Sequence, residues 1–282
     1  METPRVTVIC LCYNHGRFVR EAIESVVHQT HPAQLVVVDD ASTDGSADRI
    51  CEVLKNYPEA IFLPLEKNLG NCRAFNRGFA LAKGQFIIDL AADDVLMPQR
   101  AEEGIKALEA AGEKFGVSFS DAELIDEQGH PLGLHSDKFP HNAIPEGDIY
   151  KEVIKRYFIN SPTMMMRREV LEALGGYDET LAYEDFDFWV RSARIVNYCY
   201  TPRPLVRRRI LKQSMARMQY MKNSPQLTST FRVCEKIMQL NETPDENKAL
   251  KQRVFYEMRR ALGVLELRLA IRYGRLLIKI QE

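Results

Sequence analysis

The sequence predicts an α/β fold: a mostly parallel central sheet flanked by helices, followed by a C-terminal helical extension. Short apolar, β-branched runs alternate with stretches of helical spacing through the first 114 residues, the order that builds parallel strands with right-handed crossovers. Two of those runs stop abruptly in paired acids, Asp39-Asp40 and Asp93-Asp94. From about residue 214 onward the apolar spacing is helical.

Val6–Leu11 reads as the first strand. Phe18, Val19, Ala22, Ile23, Val26 and Val27 then recur at helical spacing, with Pro32 beyond the end. Leu35–Val38 reads as the second strand. The helix after it has Ser42 or Asp44 as cap and Ala47, Ile50, Cys51, Leu54 and Tyr57 as its buried stripe. Ile61–Leu63 is a short third strand. Ala74, Phe75, Gly78, Phe79 and Ala82 mark a helix that Gly84 is expected to end. Phe86–Leu90 is the fourth strand, and Pro98 opens a helix with Ala101, Ile105 and Leu108 inward. After residue 115 the rhythm changes. Short strands are expected at Val117–Ser120, Glu123–Asp126 and Thr163–Met166, with a long loop over 130–147. These elements suggest one domain over residues 1–213 and a helical extension over 214–282, broken near Asn241–Asp245.

Apolar residues make up 45% and charged residues 27% of the 282 positions, ordinary for a globular chain. A formal net charge of −1 gives no global reason to expect a nucleic-acid partner. The six cysteines show neither Cys-x-x-Cys nor zinc-ligand spacing, so reduced core thiols and a cytoplasmic chain are expected. The first strand begins within a few residues of the N-terminus, leaving no room there for a signal peptide. No apolar run approaches the ~20 residues needed to cross a bilayer.

The strand-end segments carry the chemistry. In an open α/β sheet, ligands bind beyond the carboxyl ends of the strands. Cys12-Tyr13-Asn14-His15-Gly16 leaves the first strand there, and Tyr13 is suited to stack on a flat base. Alone, this could be an ordinary β-α turn. A carboxylate in Asp39-Asp40-Ala-Ser-Thr-Asp-Gly45 can accept an imide N–H, such as uracil offers. Helix capping explains Ser42 and Asp44 equally well. Asn68 and Arg73 follow the third strand, where Arg73 could contact phosphate or simply be solvated. Asp93-Asp94 is the candidate site for Mg2+ or Mn2+. One or two carboxylates hold such an ion and leave positions open for phosphate oxygens. The bland alternative is a pair of charges at a helix N-terminus. Glu184-Asp185 precedes Phe186, Trp189 and Val190 at helical spacing, so these acids lie near a helix N-terminus. An ionised Asp there can serve as a base toward a hydroxyl.

In their order and spacing these segments resemble the family 2 glycosyltransferases, which have the GT-A fold. The matching pieces are Val6-Thr-Val-Ile-Cys-Leu-Cys-Tyr-Asn14, Val36-Val-Val-Asp-Asp-Ala-Ser-Thr-Asp-Gly45, Asn68-Leu-Gly70, Ala92-Asp-Asp94 with Pro98, and Gly175-Gly-Tyr-Asp178 leading to Glu184-Asp185. They cover about residues 4–210. The resemblance implies sugar transfer from a nucleotide-sugar, UDP-linked by analogy, to a hydroxyl of a saccharide or lipid-linked acceptor, with inversion and without a covalent enzyme intermediate. It implies that residues 1–114 bind the donor and 115–213 shape the acceptor site. Cys12, Tyr13, Asn14, Asp40, Asn68, Arg73, Ala92 and Asp93 would line the donor site. Asp93 and Asp94 would hold the metal, and Asp185, with Glu184 beside it, would be the base. Surface-polysaccharide or glycolipid synthesis is the expected setting.

Two departures stand out. Many members carry an acid at the place of Ala91, and Asp89 is a poor substitute for it. Many also have an Arg-x-His element where this chain has Arg209-Ile-Leu211. The missing acid keeps a non-catalytic homologue or scaffold in view as the alternative. A sugar-phosphate nucleotidyltransferase would want a basic glycine-rich loop after the first strand. A dinucleotide oxidoreductase would want Gly-x-Gly-x-x-Gly there. Neither motif is present.

Residues 247–282 carry a long apolar stripe, Leu250, Val254, Met258, Leu262, Leu265, Leu269, Tyr273, Leu276 and Ile280, widened by Leu267, Ile271, Leu277 and Ile278. Arg259, Arg260, Arg268, Arg272, Arg275 and Lys279 make the other side basic. Packing on the catalytic part or dimerisation is expected ahead of peripheral contact with the inner face of a membrane.

Overall fold

The computed structural model describes residues 4–139, 144–212 and 219–280. They form a nine-stranded sheet in the order β3-β2-β1-β4-β8-β6-β9-β5, with β7 on the side of β6. The strands are β1 (Val6–Cys12), β2 (Ala33–Asp39), β3 (Ile61–Pro64), β4 (Phe86–Ala91), β5 (Val95–Leu96), β6 (Phe115–Ile125), β7 (Pro131–Leu134), β8 (Met165–Arg167) and β9 (Asn197–Arg209). β1 to β4 run parallel. The later strands depart from the expected parallel order, because β8 pairs antiparallel with β4 and β6, and β5 antiparallel with β9.

Helices α1 (Val19–Val27), α2 (Ser46–Leu54), α3 (Asn71–Phe79) and α4 (Arg100–Ala111) fill the crossovers. Val6, Val8, Cys10 and Cys12 of β1 pack in one core with Val19, Ile23 and Val26 of α1 and Ala101, Ile105 and Leu108 of α4. α3 lies on the opposite face, where a Cβ on Gly78 would come within 2.6 Å of Ile9. Every residue of β1 is therefore buried, as a central parallel strand covered on both faces should be.

Several boundaries differ from the sequence reading. α2 buries Ser46, Ile50 and Val53, and Cys51 is exposed. The N-cap of α2 is Gly45 in the left-handed region, although Asp44 still accepts the Ser46 N–H at 3.0 Å. Gly84 does not end α3, which stops at Phe79. A Cβ on Gly84 would lie 2.5 Å from the Thr7 backbone N, so glycine is required there by the close passage of β1. The two short strands expected between 117 and 126 are one long strand, β6, whose pairing with β9 shifts register near Ser120–Ala122. The expected loop over 130–147 contains β7 and a 3-10 turn at His135–Lys138; residues 140–143 lie outside the described part.

The chain divides into two compact units. The first comprises residues 1–147, 159–179 and 196–210 and holds the sheet. The second takes in residues 148–158 and 180–195 together with everything from 211 onward. Its elements are α5 (Tyr150–Lys155), α7 (Asp185–Ala193), α8 (Pro225–Leu240), α9 (Pro244–Gly263) and α10 (Leu267–Lys279), while α6 (Arg168–Leu174) belongs to the first unit. The break expected near Asn241–Asp245 is present, and Thr243 caps α9 by accepting the Glu246 N–H at 3.3 Å. The long helix expected over 247–282 is two helices, separated by a turn in which Leu265 has φ +61°.

Candidate active site

The parallel register fixes what meets at the sheet edge. Cys12 is level with Asp39, and Leu11 with both Val38 and Ala91. The residues just beyond, Tyr13, Asp40 and Ala92, therefore emerge together at the carboxyl ends of β1, β2 and β4. The Asp40 N–H donates to the Cys12 carbonyl at 2.8 Å, and the Ala92 N–H to that of Leu11 at 2.9 Å. Cys12 and Ala92 are buried and present backbone only. Burial pushes the Cys12 thiol up to about 11, so it stays protonated at neutral pH.

The first two loops are laced to one another. Ser42 Oγ accepts the Asn14 N–H at 2.9 Å, and Asn14 Oδ1 accepts the Thr43 N–H at 2.8 Å. Asp44 accepts the Gly16 N–H at 3.0 Å. Asn14 and Ala41 both sit at positive φ, +57° and +59°, backbone strain of the kind that concentrates at functional loops. Tyr13 is held out of this lacing with about half its surface exposed. Asp39 accepts the Ser42 N–H and hydroxyl at 3.0 and 2.6 Å, which fixes the turn. Asp40 accepts the N–H groups of Leu69 and Gly70 at 2.7 and 2.9 Å. Its carboxylate thus anchors the Asn68–Gly70 loop, and only its remaining lone pairs are left for a base. Arg73, in the first turn of α3, lies 3.7 Å from Glu179 and is half exposed, a weak surface pair.

The acid pair is asymmetric. Asp94 is buried, and its Oδ1 accepts the Arg209 N–H at 2.8 Å. Burial first, and then the neighbouring Asp93 charge, push its carboxyl well above the ordinary range. Asp93 is partly open, and its Oδ1 lies 3.4 Å from Nδ1 of His15. Asp89, two positions before Ala91, accepts the Tyr177 hydroxyl at 3.1 Å and so serves the Gly175-Gly176-Tyr177 turn. That turn is pinned by Asn76, whose side-chain amide accepts the Tyr177 N–H and donates to the Tyr177 carbonyl, both at 2.9 Å.

The sequence reading missed the part played by Arg209. Its buried guanidinium donates to the Asp93 carbonyl at 2.9 Å, to the Asp126 carbonyl at 3.2 Å and to Glu21 at 2.6 Å. It also stacks 4.6 Å from the Phe18 ring. One cation therefore ties together α1, the acid loop, the end of β6 and the end of β9.

A divalent ion suits the chemistry of this pair. Asp94 is destabilised as an anion by burial and by its neighbour, and a cation would relieve both. Among the described residues no three His, Cys, Asp or Glu side chains converge into a cage.

In the second unit, Glu184 stands at the N-cap of α7 and Asp185 at its first position. Asp187, one residue beyond Phe186, is buried and doubly neutralised, by Lys236 at 2.5 Å and Arg191 at 2.7 Å. Asp185 differs: its Oδ1 is buried and takes no hydrogen bond from the described residues. Trp189 packs against Tyr157 with ring centroids 5.6 Å apart, so it is a core residue here. The Tyr183 hydroxyl, just before the acids, is 2.7 Å from Thr230 Oγ1 of α8.

The family profile described as glycosyl transferase family 2 matches residues 7–175. This chain belongs to that family. It is 31% identical over 199 residues to an uncharacterised glycosyltransferase of Methanocaldococcus jannaschii, a match covering 68% of this chain and 65% of the relative. It is 31% identical over 167 residues to a Bacillus subtilis glycosyltransferase, TuaG, named for teichuronic acid biosynthesis, covering 59% of this chain and 63% of TuaG. The matches to these family 2 relatives thus span a little under two thirds of their length. The Staphylococcus aureus TarS structure in complex with UDP-GlcNAc superposes with a TM-score of 0.72 over 98% of this chain and 82% of that one, at 16% identity. A mannosyltransferase from Pyrobaculum calidifontis, in complex with GDP-Man and Mn2+, gives a TM-score of 0.63 at 15% identity, covering 100% of this chain and 89% of that one. The expected GT-A fold is thereby established.

Proposed function

We propose that this family 2 chain is an inverting glycosyltransferase that moves a sugar from a nucleoside-diphosphate sugar to a hydroxyl of a saccharide or lipid-linked acceptor. The asymmetric acid pair at the end of β4 is the observation that carries the reading. A UDP-linked donor is favoured by the UDP-GlcNAc held by TarS, and Mn2+ or Mg2+ by the Mn2+ held by the mannosyltransferase. Surface-polysaccharide synthesis is favoured by the naming of TuaG.

In this reading Tyr13 stacks on the base, and the lone pairs of Asp40 left by Leu69 and Gly70 accept its imide N–H. The backbone of Cys12 and Ala92 floors the site. Asn14 and Asn68 hold the loop shapes, and Arg73 reaches the diphosphate when it leaves Glu179. Asp93 and Asp94 would hold a divalent ion, which when bound would neutralise charge building on the departing diphosphate. Asp185 takes the proton from the acceptor hydroxyl, an anion at a helix N-terminus being favoured there. Glu184 beside it orients the acceptor. The departing diphosphate is stabilised more in the transition state than in the ground state, which is what accelerates displacement. Release of nucleoside diphosphate from a panel of UDP-, GDP- and dTDP-sugars, with and without Mn2+, tests the proposal. Metal-dependent turnover that disappears in Asp185→Asn supports it; an inert wild type with every donor and acceptor would favour a scaffold.

A further inference from the structure

Helix α10 carries two apolar faces, and only one is covered. Leu269, Tyr273, Leu276 and Ile280 are buried. Leu267, Ile271 and Ile278 are 59%, 57% and 87% exposed. At 100° per residue these three fall within a sector of about 40°, on the side opposite the buried face. Leu265, just before them, is 70% exposed at φ +61°, so the turn holds a leucine outward at a conformational cost.

Charge runs along one edge of this stripe. Arg268, Arg275 and Lys279 lie about 60–100° around the helix from it. The one acid between 264 and 280 is Glu266, and its carboxylate accepts the Asn223 N–H at 2.7 Å. Arg268 and Arg272 also line a cavity of about 300 Å3 beside Asn223, Ser224 and Thr228. The Arg272 guanidinium is held there, 4.1 Å from the Phe231 ring. No described helix is long and apolar enough to cross a membrane.

We propose that α10 is an interfacial helix that lies flat on an anionic phospholipid bilayer. Leu265, Leu267, Ile271 and Ile278 enter the acyl boundary, and Arg268, Arg275 and Lys279 meet lipid phosphates. An exposed apolar stripe with a row of cations at its edge is the pattern such helices use. A second copy fits less well, because antiparallel pairing of two such stripes would bring both rows of cations to the same side.

Co-sedimentation of the full chain with phosphatidylcholine vesicles, and with vesicles also containing phosphatidylglycerol, tests this. The wild type should pellet with the anionic vesicles and release as salt rises. Arg275→Gln with Lys279→Gln should weaken binding about fivefold for each cation removed. Ile271→Asp with Ile278→Asp should abolish it while leaving the thermal melt intact, since both side chains are already in solvent. Equal pelleting of wild type and the Ile271/Ile278 variant, or no pelleting of wild type, would overturn the proposal. So would a wild-type dimer in sedimentation velocity that the same variant dissolves. Donor hydrolysis measured without vesicles should be unchanged in these variants, so a failure here is distinguishable from a failure of the transferase reading.

Discussion

The backbone N–H of Arg209 donates a 2.8 Å hydrogen bond to Oδ1 of Asp94, while the same residue's guanidinium binds the carbonyl of Asp93. One residue at the end of β9 therefore sets the attitude of both acids at the end of β4. Replacing it should loosen the site and the fold together. Arg209→Ala leaves the Asp93 and Asp126 carbonyls without their donor and should cost about 2–4 kcal/mol. Urea denaturation measures that loss. Arg209→Lys should recover part of the stability but not the forked geometry, so Mn2+ affinity should stay reduced in it.

Position 91 offers the converse experiment. Ala91 stands where the family resemblance implies a further acid, and Asp89 is already committed to Tyr177. Ala91→Asp should tighten Mn2+ binding by calorimetry on the order of tenfold, because ligand charge sets affinity at oxygen sites. An unchanged or weaker affinity would mean the ion lies elsewhere.

In the proposed reaction the acidic cluster before α7 separates into structural and chemical members. Asp187 is neutralised by Lys236 and Arg191, so Asp187→Asn should lower the melting temperature by removing the buried charge that both cations share. Asp185→Asn should leave the melting temperature near wild type and lower turnover by roughly a hundred- to ten-thousand-fold, the range for loss of a general base. Reversal of these two effects would move the base assignment to Asp187.

Asp44 supplies a pH test. Burial acts to raise its carboxyl, but the Ser46 hydroxyl and the N–H groups of Gly16 and Ser46 outweigh it and hold the group below the ordinary range. A carboxyl lowered on folding adds stability above its unfolded pKa and loses it as pH falls through the folded value. The melting-temperature gap between wild type and Asp44→Asn should therefore be full at pH 7 and close in acid below about pH 4. A gap that persists in acid would assign the effect to shape rather than charge.

The parallel half of the fold was legible because β1 to β4 are continuous apolar runs separated by amphipathic helices. Their carboxyl ends then located the acid pair and the Tyr13 loop. β6 was read as two strands because Ser120 and Asp121 interrupt its apolar pattern, yet both are buried within it. The strand expected over Thr163–Met166 is present as β8, but β5, two residues long, exists only because the distant β9 offers it a partner. Arg209 was invisible as a clamp for the same reason: its partners Asp93 and Glu21 lie 116 and 188 residues away. No local spacing encodes such contacts. The apolar tail stripe is visible in the sequence, but its division into covered and exposed faces follows from the turn at Leu265, through which the apolar spacing runs unbroken and which Gly263 alone signals.

The most direct test of the donor site is calorimetric titration of UDP-sugars into wild type, Asp93→Asn and Asp185→Asn with Mn2+ present. Wild type and Asp185→Asn should bind alike, because the base acts after binding, and Asp93→Asn should show no measurable binding. Wild-type affinity in Asp93→Asn, or binding indifferent to Mn2+, would contradict a diphosphate held through the acids that close β4.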